Sequence, residues 1–192
     1  MNPIFGHNQY LLKRQVFALT GKFRIYDPSE NLVMFSEQKM FRLREDIRVF
    51  SDKSKTQEVL MIKARQIIDF SAAYDVVDSA TGQKIGVLRR KGLRSILRDE
   101  WEVLDVGDNV VGLLFEDSLG LAILRRLIAG SLLPQNYDIT MGADRVADLK
   151  QRFNLFAYQL DINFSMDMSR RLDHRIGIAA GILLAVVEGK QS

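Results

Sequence analysis

The sequence contains no cysteine, only three prolines, two histidines and a single tryptophan. Without cysteine there is no disulfide framework, no thiol nucleophile and no thiolate-held metal. The histidines, His7 and His174, stand at opposite ends of the chain, so no pair falls at metal-ligand spacing. The phosphate-cradling patterns G-x-x-x-x-G-K-[ST] and G-x-G-x-x-G are missing, as is the G-x-S-x-G nucleophile elbow. Thr20-Gly21-Lys22 has the Gly-Lys pair of a phosphate loop but not its upstream glycine. Asp69, Asp75 and Asp78 cluster in sequence, but in the manner of turn residues and solvated strand faces. These absences point away from an enzyme and from any cofactor or metal. An excess of one charge is lacking too: 27 basic residues face 24 acidic ones, a net charge of +3. That balance, with 9% aromatic residues, gives little support to nucleic acid as a partner. The opening MNPIFGHNQYLLKRQ has no charged stretch followed by an apolar core, so no signal peptide is read there. A cytoplasmic protein is expected, placed at a membrane periphery if its ligand is a lipid.

What is present is mostly period two. Phe156, Tyr158, Leu160, Ile162 and Phe164 alternate with Ala157, Gln159, Asp161, Asn163 and Ser165, the pattern of a half-buried strand. Phe23 and Ile25 alternate with Lys22, Arg24 and Tyr26 in the same way. Turn signals recur at short spacing: YDPSENL (26–32), DSATGQK (78–84), RRKGLR (89–94), DVGDNV (105–110) and TMGADR (140–145). Each lies between apolar stretches and reads as a hairpin. Many short strands joined by tight turns predict an all-β sandwich or barrel. No linker or low-complexity run divides the chain, so residues 1–192 are expected to form one domain.

Two segments break the pattern. In SLGLAILRRLIAGSLLP (118–134), Leu121, Leu124, Leu127 and Ile128 recur at helical spacing and Pro134 closes the run, which predicts a helix connecting two strands. The second runs from about Leu172 to Glu188, with Asp173 as N-cap or first-turn acid. From Ile176 to Val187 it has no polar residue. That stretch is shorter than the roughly 20 residues of a membrane span. A helix apolar all round is buried on every side, and Gly177, Ala179, Ala180, Gly181 and Ala185 keep this one thin. A thin apolar helix in an all-β chain fits the middle of a closed barrel, wider than an eight-stranded one. The expected fold is mainly β: a closed antiparallel barrel of about twelve strands around a central hydrophobic C-terminal helix, with one additional connecting helix.

Three stretches carry a family likeness: VFALTGKFRIYDPSENLVMFSEQKMF (16–41), ARQIIDFSAAYDVVDSATGQKIGVLRRKGLRSILRDEWEVLD (64–105) and the final helix. They resemble the LURP-one-related proteins of the tubby-like superfamily, which also holds tubby C-terminal domains and phospholipid scramblases. The resemblance covers nearly the whole chain. It implies a twelve-stranded barrel around a hydrophobic C-terminal helix and leaves the activity undefined.

The most informative charge feature lies between Lys84 and Arg98. Arg89, Arg90, Lys91, Arg94 and Arg98 flank the turn at Gly92, with no acid before Asp99. Converging Arg forks and Lys point charges suit a phosphate; the same residues could instead pair with Asp99, Glu100 and Glu102. Tubby domains bind phosphoinositide headgroups through basic side chains, so the resemblance favours the anion site. Arg42, Arg44 and Arg48, interrupted by Glu45 and Asp46, read as a solvated set. Arg125 and Arg126 fall on the connecting helix, which could lie at a membrane interface but more simply caps the barrel. DINFSMDMSRRLDHR (161–175) looks similar to the acidic segment before the last helix of scramblases, where calcium binding is proposed; the spacing of Asp161, Asp167 and Asp173 is not that of a calcium loop. Three readings follow: a non-enzymatic barrel binding an anionic ligand such as a phosphoinositide or phospholipid headgroup, a protein-interaction or structural module, and a scramblase-like membrane protein.

Overall fold

In the computed structural model, residues 2–15, 20–39, 46–65, 72–91, 100–117, 134–154 and 156–188 are described. Twelve antiparallel strands form a closed barrel: β1 (Gln9–Gln15), β2 (Thr20–Tyr26), β3 (Leu32–Lys39), β4 (Ile47–Phe50), β5 (Glu58–Ala64), β6 (Ala73–Asp78), β7 (Lys84–Arg90), β8 (Glu100–Leu104), β9 (Val110–Glu116), β10 (Asn136–Met141), β11 (Asp144–Arg152) and β12 (Ala157–Asn163). Each strand pairs with its sequence neighbours, and β12 closes on β1 with Leu160 opposite Leu12. Closure leaves no unpaired sheet edge.

Alternation decides what faces the lumen. Tyr10 and Leu12 on β1, Phe23 and Ile25 on β2, and Leu160 and Ile162 on β12 are buried, while their neighbours in sequence are partly or fully exposed; on β5 Leu60 and Ile62 are buried, and so is Val59. Helix α1 (His174–Glu188) fills the interior. Ile178, Ala179, Ala180, Ile182, Leu183, Leu184 and Ala185 are sealed from solvent, so the helix is buried on all its faces, as its composition predicts. The oxygen Asp173 Oδ1 accepts from the Arg175 amide at 3.0 Å and caps the first turn. Gly177 meets Phe164, and one turn later Gly181 meets Ile162 and Leu160. The helix thus climbs along β12 against its direction. No helix among the described residues is long and apolar enough to cross a membrane.

The barrel has a base and a mouth. At the base the short 3-10 turn Pro3–Phe5 plugs the lumen through buried Phe5, and α1 begins. The turns here are short and polar; those at 26–32, 78–84, 105–110 and 140–145 lie where their sequence signals predict, and the turn after Asp52 is an additional one. Between Met141 and Asp144 the turn needs Gly142 at φ 63°, where side chains are strained. The mouth is the opposite end, where β1, β3, β5, β7, β9 and β11 finish and β2, β4, β6, β8, β10 and β12 start. The expected connecting helix at 118–134 and the turn at Gly92 lie outside the described residues. The apolar face predicted for 156–164 is right from Tyr158 onward, but Phe156 precedes β12 and is 75% exposed.

Candidate functional site

Strand parity carries a polar layer into the barrel at the mouth. Continuing the inward series of β1 past Tyr10 and Leu12 gives Arg14, which is only 3% exposed and lies 5.7 Å from the centre of the Tyr158 ring. On the opposite wall, Gly86 and Leu88 on β7 lead inward to Arg90. Arg90 is paired in register with Trp101 on β8, and Trp101 with Leu114 on β9. Tyr74 on β6 completes this wall, its ring 6.1 Å from that of Trp101. Burial pushes the Tyr74 hydroxyl up to about 12, against the pull of the Arg90 charge, so it stays a neutral donor. On the third side, Glu116 is buried opposite Tyr137, whose hydroxyl donates to Gln135.

The indole Nε1–H of Trp101 is buried and finds no acceptor among the described residues. An orphaned buried donor costs about 1–3 kcal/mol. Helix α1 also ends at the mouth, so the negative end of its dipole faces the layer that holds Arg14 and Arg90.

The sequence-predicted cations separate. Arg89 and Lys91 point outward and are neutralised by β8: Arg89 Nη2 lies 2.6 Å from Glu102 Oε2, and Lys91 Nζ lies 2.5 Å from Glu100 Oε1. Arg90, between them, faces the lumen. Arg94 and Arg98 lie outside the described residues. Pairing with Glu100 and Glu102, the plainer of the two expectations, therefore holds for Arg89 and Lys91. Of the other sets, Arg48 pairs with Glu58 at 2.8 Å, while Arg42, Arg44, Arg125 and Arg126 lie outside the described residues. Charge runs do not point to Arg14 or Trp101. The signal was available in parity, since Tyr10, Leu12 and Arg14 share one face.

The acids are occupied structurally. Asp75 binds Arg65 at 2.6 Å, and Asp78 pairs with Arg175. Asp161 holds Arg152 at 2.6 Å. Asp167 accepts from the amides of Arg171 and Leu172 at 3.0 and 2.8 Å. Asp69 lies outside the described residues. No group of His, Asp or Glu among the described residues could hold a metal ion. His174 Nδ1 lies 3.0 Å from the Phe5 carbonyl oxygen, and its ring stacks on Phe164 at 4.1 Å.

The family model described as LURP-one-related matches residues 8–185, the barrel and nearly all of its helix. The chain belongs to the LURP-one-related family. No curated protein and no solved structure matches it. The family is not known as an enzyme family.

Proposed function

We propose that this LURP-one-related barrel is a non-enzymatic module that binds an anionic ligand, a phosphoinositide or phospholipid headgroup, at its mouth on the β6–β8 wall. The observation that carries the reading is the Trp101 indole N–H, buried and without an acceptor among the described residues, on the residue paired in register with inward Arg90. A phosphate seated at this pair would take the indole N–H as one donor and the Arg90 fork as another. The Tyr74 hydroxyl adds a neutral donor to the same wall. Arg94 and Arg98 follow Arg90 within eight residues of sequence and would extend the cationic surface. Resemblance to tubby domains, which bind phosphoinositide headgroups through basic side chains, supports the same ligand class.

Co-sedimentation with neutral and anionic vesicles, at low and physiological salt, tests it. Binding to anionic vesicles alone, weakened by salt and by Arg90→Gln with Lys91→Glu, is the expected result. Equal binding by the variant, or no competition by a soluble inositol phosphate, refutes the mouth as the headgroup site.

A further inference from the structure

The turn between β11 and β12 carries two large apolar side chains into solvent. Phe153 is 64% exposed and Phe156 is 75% exposed. Single exposed apolar residues are ordinary, but two phenylalanines on one turn are not. The turn is held in shape from within. Asn154 Oδ1 accepts from the amides of Phe156 and Ala157, each at 2.9 Å, which fixes the backbone that presents Phe156.

The outer face of the adjoining strands adds charge. Lys13 on β1 stands directly opposite Arg24 on β2, both on the outside of the barrel. Like charges directly opposed across a strand pair are destabilising. Neither has a carboxylate within ion-pair distance among the described residues; the Lys13 ammonium rests 5.0 Å from the centre of the Tyr26 ring. Gln15 is opposite Ala157, so Lys13 lies about three strand residues, roughly 10 Å, below the tier of Phe156. An interfacial apolar group sits ~5–10 Å into the headgroup–acyl boundary. Phenylalanine rings at that depth put Lys13 and Arg24 at the level of the lipid phosphates.

We infer that the barrel docks mouth-first on an anionic bilayer, with Phe153 and Phe156 inserted into the interface and Lys13 and Arg24 against the headgroups. The inference deepens the anionic-ligand reading, on which it rests for the sign of the lipid charge. It names a bilayer rather than a free anion as the partner.

The test uses the full chain with Phe156→Trp as a reporter. Trp101, the only other tryptophan, is buried but belongs to the proposed headgroup site, so its own response to each vesicle is measured on the parent protein and subtracted. Vesicles are phosphatidylcholine alone, phosphatidylcholine with phosphatidylserine, and the latter with brominated acyl chains. The expected result is a blue shift and bromine quenching with anionic vesicles only. Phe153→Ser with Phe156→Ser should weaken vesicle binding at least about tenfold and leave binding of a soluble inositol phosphate unchanged. Lys13→Glu with Arg24→Glu should weaken it and reduce its salt dependence, leaving the part that Arg90→Gln removes. Vesicle binding without quenching overturns insertion while leaving the headgroup site standing. Insertion that ignores Arg90→Gln and soluble inositol phosphate leaves insertion standing and overturns the headgroup site. No vesicle binding, with the serine variant instead dissolving a dimer seen by light scattering, overturns the bilayer as partner.

Discussion

Gly177 on α1 faces Phe164 so closely that a Cβ at that position would lie 2.3 Å from the ring atom Cε1. The ring cannot retreat freely, because it is stacked on His174 and edged by Tyr10. Overpacking of this kind costs ~1–3 kcal/mol, partly offset by the better helix propensity of alanine, about 1 kcal/mol. Gly177→Ala should therefore lower the stability measured by denaturant unfolding by about 1 kcal/mol. In a Phe164→Leu background, where space is released, the same change should become neutral or stabilising. An equal cost in both backgrounds would show that the glycine is not there to admit the ring.

Ala180 sits mid-helix, 1% exposed. Ala180→Asp places a carboxylate in the lumen with no partner, which costs several kcal/mol. If α1 is the permanent core of the barrel, the variant should lose its cooperative unfolding transition and bind dyes that report exposed apolar surface. If the helix instead leaves the barrel to insert in membranes, the variant should stay folded and lose only membrane association. Circular dichroism with a thermal melt separates the two outcomes.

Much of this architecture can be read in the residues. The base turns are legible because Asp27, Asp78 and Asp105 are followed by turn formers at fixed offsets and use their carboxylates to bind amides two to four residues on. Helix α1 is legible because small and aliphatic residues without a polar side have no place but an interior. The mouth is harder. Arg89, Arg90 and Lys91 look like one patch in sequence, yet strand geometry turns the middle residue inward and its neighbours outward, onto acids of β8. Arg14 looks like one of two ordinary cations in LLKRQ until parity with Leu12 places it inside. Residue type alone fixes neither case; the face does.

At the base, Arg175 ties the start of α1 to the wall. Its guanidinium pairs with Asp78 at the end of β6 and with Asp173 Oδ2 at 2.6 Å, and its side chain is 15% exposed. Breaking a largely buried pair leaves two carboxylates uncompensated, so Arg175→Met should cost on the order of 2–3 kcal/mol. Amide exchange should rise first at His174–Ile178 and at the 78–83 turn, ahead of the rest of the barrel. Uniform loss of protection would mean the pair acts only through global stability.

His174 makes stability depend on pH in a defined window. Burial holds its pKa below the ordinary 6.5, and the nearby Arg170 charge pushes the same way, while the Phe5 carbonyl, Asp173 and Asp167 oppose. The carbonyl can only accept, so Nδ1 carries a proton and donates it, and burial disfavours the second proton on Nε2. A base with a depressed folded pKa takes up its proton more readily when unfolded. Its contribution is therefore complete above about pH 6.5 and is lost as pH falls from there toward the folded pKa. Carboxylates with lowered pKa values, such as Asp173 and Asp108, act in a separate window below their ordinary 3.8. Urea midpoints taken from about pH 7.5 down to about pH 5 should fall in the parent protein. His174→Gln, which removes the titrating ring, should give a lower midpoint at neutral pH and a flatter profile across that interval. A slope that survives the substitution would assign the proton uptake to another group.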